Sequence, residues 1–191
     1  MPAMLYLASK SPRRRELLKQ IQLEFECLDV DVPEEALSGE SPEDYVSRLA
    51  LDKAWAGYQQ LRQPDAVVLG ADTAVVIDDL ILGKPRDRDD ALAMLGRLSG
   101  RRHSVFSGVA LLGAFGRQAA VSKTEVCFRT ISEEERQWYW QTGEPADKAG
   151  AYAIQGIAAI FIESIDGSYS GVMGLPLFET AGLLAQRDIT L

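Results

Sequence analysis

The stretch VVLGADTAVV at residues 67–76 sets a single carboxylate, Asp72, between two strongly apolar segments. Such a segment reads as buried strand, where a carboxylate is costly unless it is paired or bound to a metal. The pattern predicts a strand from Val67 to Ala71, interrupted near Gly70, and another from Thr73 to Ile77 that makes a hairpin with Leu80 to Leu82 across Asp78-Asp79. Asp72 can serve as a ligand for Mg2+ or Mn2+, hard cations that take oxygen donors, or as a base toward water; an Asx-turn is the structural alternative.

Around this centre, helix and strand signals alternate. Leu5 to Ala8 reads as a short buried strand. Ser11-Pro12 and Ser41-Pro42 each place an N-cap and a first-turn proline at the start of a helix, the second running to about Leu61. Phe25 to Val32 reads as a strand. Asp89 to Leu98 has helical spacing, Val105 to Leu112 and Val121 to Phe128 read as paired strands, and Ser132 with Glu135 forms a capping box for a helix ending at Gly143. Ile157 to Ile162 reads as a strand, Asp166-Gly167 as a turn, and a last helix starts at Pro176. The order lacks strict βαβ regularity, so the expectation is α/β with a mixed, twisted central sheet flanked by helices, in one domain over residues 1–191.

Composition narrows the function. With 191 residues and 47% hydrophobic content, a large core forms without disulfides or a structural metal. A net charge of -8 argues against a protein that coats nucleic acid or anionic membrane, yet leaves room for small polyphosphates, which need only a local basic cluster. Cys27 and Cys127 form no CxxC pair and are expected as buried, reduced thiols. No apolar run spans a bilayer, and the N-terminal residues lack the pattern of a secretory signal, so a cytoplasmic protein is expected.

Several further groups carry chemistry. Ser9-Lys10-Ser11-Pro12-Arg13-Arg14-Arg15 puts guanidiniums in the first turn of a helix, an unfavourable place for cations that a bound anion offsets; a solvated basic patch is the plain alternative. Lys53 falls on the inward stripe formed by Val46, Leu49, Ala50, Ala54, Gly57 and Leu61, while Arg48, Asp52 and Gln59 point away. It either snorkels or lines a cleft; Lys53→Ala, like Lys84→Ala, is expected to weaken catalysis more than it destabilises the chain, and loss of the Lys53 charge from an apolar stripe could even raise stability. Lys84 lies in a loop before a helix, where it can act as a second phosphate clamp. In the segment Asp147 to Gly156, Gln155 offers an amide able to read a base edge. Glu34 or Glu35 can supply a metal ligand opposite Asp72. His103 is expected to be an ordinary surface or strand residue, and Trp138-Tyr139-Trp140 to serve packing or an interface.

Together LYLASKSPRRRELL, VVLGADTAVV, LGKPRD with ALAMLGRLSGRRHSV, DKAGAYAIQG and GSYSGVMGLPLFET resemble the Maf family in family order, from Leu5 to Thr180. The resemblance implies an elongated α/β fold with a cleft, related to inosine triphosphate pyrophosphatases and often homodimeric. It also implies divalent-metal-dependent release of pyrophosphate from a nucleoside triphosphate. Asp72 matches the family's catalytic aspartate, and Arg13, Arg14, Lys53 and Lys84, with Ser9 beside them, match its phosphate-binding positions. Glu34 lies near the acidic loop position of a metal ligand, displaced in pattern by Pro33.

The resemblance is to the dTTP/UTP subgroup. Arg13 stands where the 7-methyl-GTP subgroup tends to carry an aromatic, Thr73 where it has an amide, and Gln155 where it has an acidic residue. A neutral amide suits the donor and acceptor edge of thymine or uracil. Competing readings are a 7-methyl-GTP pyrophosphatase, a nucleotidyltransferase, and a nucleotide-responsive regulator of cell division acting through protein contacts.

Overall fold

The computed structural model describes residues 4–61, 63, 65–187 and 189. In chain order the elements are β1 (Leu5–Ala8), α1 (Pro12–Gln20), β2 (Glu26–Leu28), α2 (Pro42–Gln60), β3 (Val67–Ile77), β4 (Leu80–Leu82), α3 (Arg88–Leu98), β5 (Arg102–Gly113), β6 (Gly116–Phe128), α4 (Glu133–Gln141), β7 (Ile162–Asp166), α5 (Tyr169–Met173) and α6 (Leu177–Ala185). Three short 3-10 helices, Glu144–Asp147, Ala149–Ala151 and Ile157–Phe161, lie between α4 and β7.

The strands form one mixed sheet in the order β2-β1-β3-β5-β6-β7, with β4 also paired to β3. β1 runs parallel to both β2 and β3, pairing Leu7 with Cys27 on one side and with Leu69 on the other. β4 and β7 are antiparallel to β3 and β6. The sheet is thus mixed, as its irregular element order implies. Among the described residues no helix is long and apolar enough to cross a membrane.

The chain forms two compact units, Met1–Thr73 with Ser107–Ser122 and Gly174–Leu191, and Ala74–Phe106 with Lys123–Met173. In the first, α2 lies on the sheet at backbone contact. A Cβ added at Gly70 would overlap the Ala50 carbonyl oxygen and sit 2.6 Å from the Ala54 nitrogen, and one at Gly108 would overlap the Val46 carbonyl. Both strand glycines are therefore occupied by helix main chain. This corrects the expected interruption at Gly70: β3 continues unbroken from Val67 to Ile77, because the glycine admits a helix and does not turn the strand. Ser41 caps α2 by accepting from the Asp44 amide at 3.1 Å, and Pro42 occupies its first turn.

The second unit packs Val75, Leu95, Leu98, Val126, Phe128, Tyr139 and Phe161 into its core. Ser132 and Glu135 make the expected reciprocal capping box on α4. His103 is on a strand, as expected, but it is 2% exposed, so no surface residue. Its Nε2 lies 2.9 Å from the Tyr152 hydroxyl, and its ring meets those of Phe128 and Tyr152 edge-on.

Other expectations fail locally. The apolar segment from Ile157 begins as a 3-10 helix, and β7 starts only at Ile162. The reason is a long-range cap, since the Glu144 carboxylate accepts from the Ile157 and Ala158 amides at 3.0 and 3.3 Å. Neither cysteine is buried: Cys27 is exposed on the short edge strand β2, and Cys127 is half-buried. In the aromatic cluster, by contrast, Tyr139 packs into the core as expected and is fully buried, while Trp138 is 48% exposed.

Gly70→Ala should destabilise the protein by about 3 kcal/mol or more, because helix backbone cannot step aside, whereas Gly83→Ala, with open space around it, should stay within about 0.5 kcal/mol; urea unfolding reads both. Burial pushes the His103 imidazole down to about 4, from an ordinary 6.5. Below the ordinary value the unfolded chain therefore takes a proton that the folded one refuses, so this contribution to stability falls as pH drops through that window. Between pH 7 and 4 the wild type should lose on the order of 3 kcal/mol more than His103→Gln. Parallel pH profiles for the two would remove His103 as the cause.

Candidate active site

The site is assembled on the first unit from the end of β1, the middle of β3, the first turn of α1, the irregular segment that carries Glu34 and the middle of α2. Lys53 projects from the buried face of α2, as its place on the inward stripe predicts, and it is 8% exposed. Its ammonium donates to Asp72 Oδ1 and to Glu34 Oε1, each at 2.6 Å. Asp72 is equally sequestered, at 6% exposure, whereas half of the Glu34 side chain reaches solvent. Burial holds the Asp72 carboxyl above its ordinary value, against the pull of Lys53 and then of Arg14. A carboxylate in this state accepts a proton more readily than a solvated aspartate.

A second network adjoins the first through the peptide between Asp72 and Thr73. Arg14, in the first turn of α1, donates from Nε to the Gly174 carbonyl at 2.8 Å and from Nη1 to Ser9 Oγ at 3.3 Å. The same Ser9 oxygen accepts from the Ser11 amide at 3.2 Å. Thr73 Oγ1 donates to the Gly174 carbonyl at 3.3 Å and lies 3.0 Å from Ser107 Oγ. Burial lowers the Arg14 guanidinium below its usual value while Asp72 opposes that shift; an arginine nevertheless stays cationic. Arg13 is half-buried beside it, and no acidic residue occupies that first turn. The helix start thus presents amide dipole and guanidinium together, an arrangement that suits an anion.

Of the residues singled out from sequence, Glu34, Lys53 and Asp72 share one ion-pair group, and Ser9, Arg14 and Thr73 share one hydrogen-bond network. Lys84 and Gln155 belong to the second unit. Lys84 is exposed in the loop after β4. Gln155 is exposed on a loop pinned by Tyr139 and Glu144: the Tyr139 hydroxyl accepts from the Ala153 amide at 3.3 Å and donates to Glu144 Oε1 at 2.6 Å. Sequence reasoning missed Ser107 and the Gly174 carbonyl. Gly174 has φ +127, a conformation closed to most side chains, which aims its carbonyl at both Arg14 and Thr73.

Among the described residues no cluster of three or more His, Cys, Asp or Glu side chains could by itself hold a metal ion. Asp72 and Glu34 nevertheless direct one carboxylate oxygen each to a single cationic point. Two carboxylates completed by phosphate oxygens are a usual donor set for Mg2+, so the pair fits a divalent cation that arrives with a polyphosphate.

Residues 4–187 match the family described as Maf-like protein. The chain belongs to the Maf family. A dTTP/UTP pyrophosphatase of Alkalilimnicola ehrlichii is 53% identical over 190 residues, covering 97% of this chain and 93% of that protein. Another, from Xanthomonas axonopodis pv. citri, is 53% identical over 184 residues, covering 95% and 97%. Among solved structures, a nucleoside-triphosphatase/dITP/XTP pyrophosphatase of Mycobacterium abscessus aligns with TM-score 0.42 and 18% identity over 65% of this chain and 74% of that one.

In this Maf-like protein the Lys53 contacts argue against a gain in stability when its charge is removed. Removing it leaves the Asp72 carboxylate buried without its closest counter-ion, a loss of about 3 kcal/mol. Lys53→Met should therefore unfold earlier in urea at pH 8. The Asp72 carboxyl rises further in the variant, so its folded state gains a proton as pH falls and the deficit should shrink toward pH 5. A variant as stable as wild type at both pH values would show that the pair compensates nothing.

Proposed function

We propose that this Maf-like protein hydrolyses dTTP and UTP to the monophosphate and pyrophosphate. The observation that carries the reading is the buried Asp72 carboxylate held by Lys53 beside the Arg14-bearing helix start, a base and a cationic cradle in one place. The 53% identical relatives named for this activity support the choice of reaction and substrate.

In the proposed reaction Asp72 takes a proton from a water as its oxygen bonds to the α-phosphorus. The bond from that phosphorus to the oxygen bridging to the β-phosphorus breaks, and pyrophosphate leaves. Arg13, Arg14 and Lys53 stabilise charge as it builds on the phosphate oxygens, the main way proteins accelerate phosphoryl transfer. Ser9 and the Gly174 carbonyl hold Arg14 for that task. Asp72 and Glu34 would hold a divalent cation, Mg2+ or Mn2+, whose chemistry is to neutralise the polyphosphate. By resemblance, Lys84 matches a phosphate-binding position of the family, and Thr73 and Gln155 match positions at which its pyrimidine and 7-methyl-GTP subgroups differ.

One panel tests the reading. With pyrophosphate release as readout and no acceptor added, kcat/KM for dTTP and UTP should exceed that for 7-methyl-GTP and for purine triphosphates by roughly 10³ or more. Asp72→Asn should lower turnover by at least about 10³ while the fold persists, because Asn keeps an oxygen for Lys53. Activity within tenfold of wild type would exclude Asp72 as base, and 7-methyl-GTP turned over as well as dTTP would overturn the substrate assignment.

A further inference from the structure

Glu34 lies in the segment between Pro33 and Glu40, which has neither helix nor strand. A carboxylate on such a segment, 47% exposed, needs something to keep it 2.6 Å from Lys53. The restraint comes from the first half of α2. The Tyr45 hydroxyl donates to the Glu34 carbonyl at 3.1 Å. Arg48 forks onto Glu40, Nε to Oε1 at 2.6 Å and Nη2 to Oε2 at 2.8 Å, and Nη2 also donates to the Glu35 carbonyl at 3.0 Å. Its guanidinium lies over the Tyr45 ring, 5.7 Å from the centroid, so each side chain braces the other. Glu40 in turn accepts from the Leu37 amide at 3.0 Å, and its own amide donates to the Leu37 carbonyl at 3.1 Å, which closes the loop on itself.

We propose that Tyr45 and Arg48 are positioning residues that grip the main chain at Glu34 and Glu35 and thereby set the Glu34 carboxylate beside Lys53 and Asp72. The inference rests on the proposed role of that carboxylate group in polyphosphate hydrolysis. Both act through the loop. The grip depends on a planar fork that spans two carboxylate oxygens and a carbonyl, a geometry a lysine cannot reproduce. The Arg48 fork and the Leu37 amide also hold the Glu40 carboxyl down to about 2, so the anchor stays ionised throughout the working range. One helix therefore fixes the loop at its main chain through Tyr45 and Arg48 and at its acidic side chain through Lys53.

The test is a cycle of Arg48→Lys, Tyr45→Phe and Glu34→Gln, with dTTP as substrate and Mg2+ varied. Each positioning variant should lower kcat by about tenfold and raise the Mg2+ concentration needed for half-activity, with KM for dTTP changed less than about twofold. In the Glu34→Gln background Arg48→Lys should add no further loss, because its effect passes through Glu34. Full multiplication of the two losses, or a kcat and Mg2+ requirement equal to wild type in Arg48→Lys, would overturn the proposal. If Glu34→Gln proves fully active, the role of Glu34 in the reaction fails. Hydrogen exchange at residues 34–37 then decides the grip alone: faster exchange in Arg48→Lys sustains it, and unchanged exchange ends it.

Discussion

The site depends on one close approach of main chain to main chain. Helix α2 can rest on the sheet only because β3 and β5 present glycines, Gly70 and Gly108, where any side chain would strike the helix backbone. That contact brings Lys53, in the middle of the helix, to a strand residue two positions after Gly70. With the helix an ångström or two higher, the amine would miss the Asp72 carboxylate and a buried charge would stand alone. Packing and electrostatics are thus one constraint here: glycine chemistry in the strands fixes the height of the helix, and the height fixes the ion pair.

The pair itself is a poor investment in stability. Two desolvated charges rarely recover their hydration energy, and apolar residues of the same volume often hold a fold together as well or better. Its value lies in what it keeps ready. Lys53 shares one ammonium between two acids, which confines both carboxylates at one point, and Arg14 adds positive potential nearby. A compact ammonium suits this place better than a guanidinium, since it donates in several directions from a single point.

What the sequence discloses follows from how local each signal is. Asp72 is legible because nothing apolar around it explains a carboxylate, and Lys53 because the helical period counts it onto the inner face. The caps at Ser41 and Ser132 are legible because each is completed within three residues. Gly174 and Ser107 are not, since the hydrogen bonds that give them meaning join positions 160 and 34 residues apart. The same holds for Ile157, whose amide is captured by a glutamate 13 residues earlier, turning an apolar run into 3-10 helix. Cys27 misleads for a different reason: an apolar neighbourhood in sequence does not reveal that β2 forms an outer edge of the sheet. Arg48 and Tyr45 look like ordinary helix residues until the irregular loop they grip is seen.

The division of the chain has a consequence for biosynthesis. The first unit is built from three separate stretches, the last of them Gly174–Leu191, while the second occupies the intervals between them. On the ribosome the second unit has all its residues once Met173 is made. The first lacks the Gly174 carbonyl, and so the restraint on Arg14 and Thr73, until synthesis passes that residue. A nascent chain stalled between Asp72 and Gly174 carries Lys53 and Asp72 but not the restraint on their neighbours Arg14 and Thr73. The restraint on Arg14 and Thr73 is therefore among the last features of the site to form during synthesis.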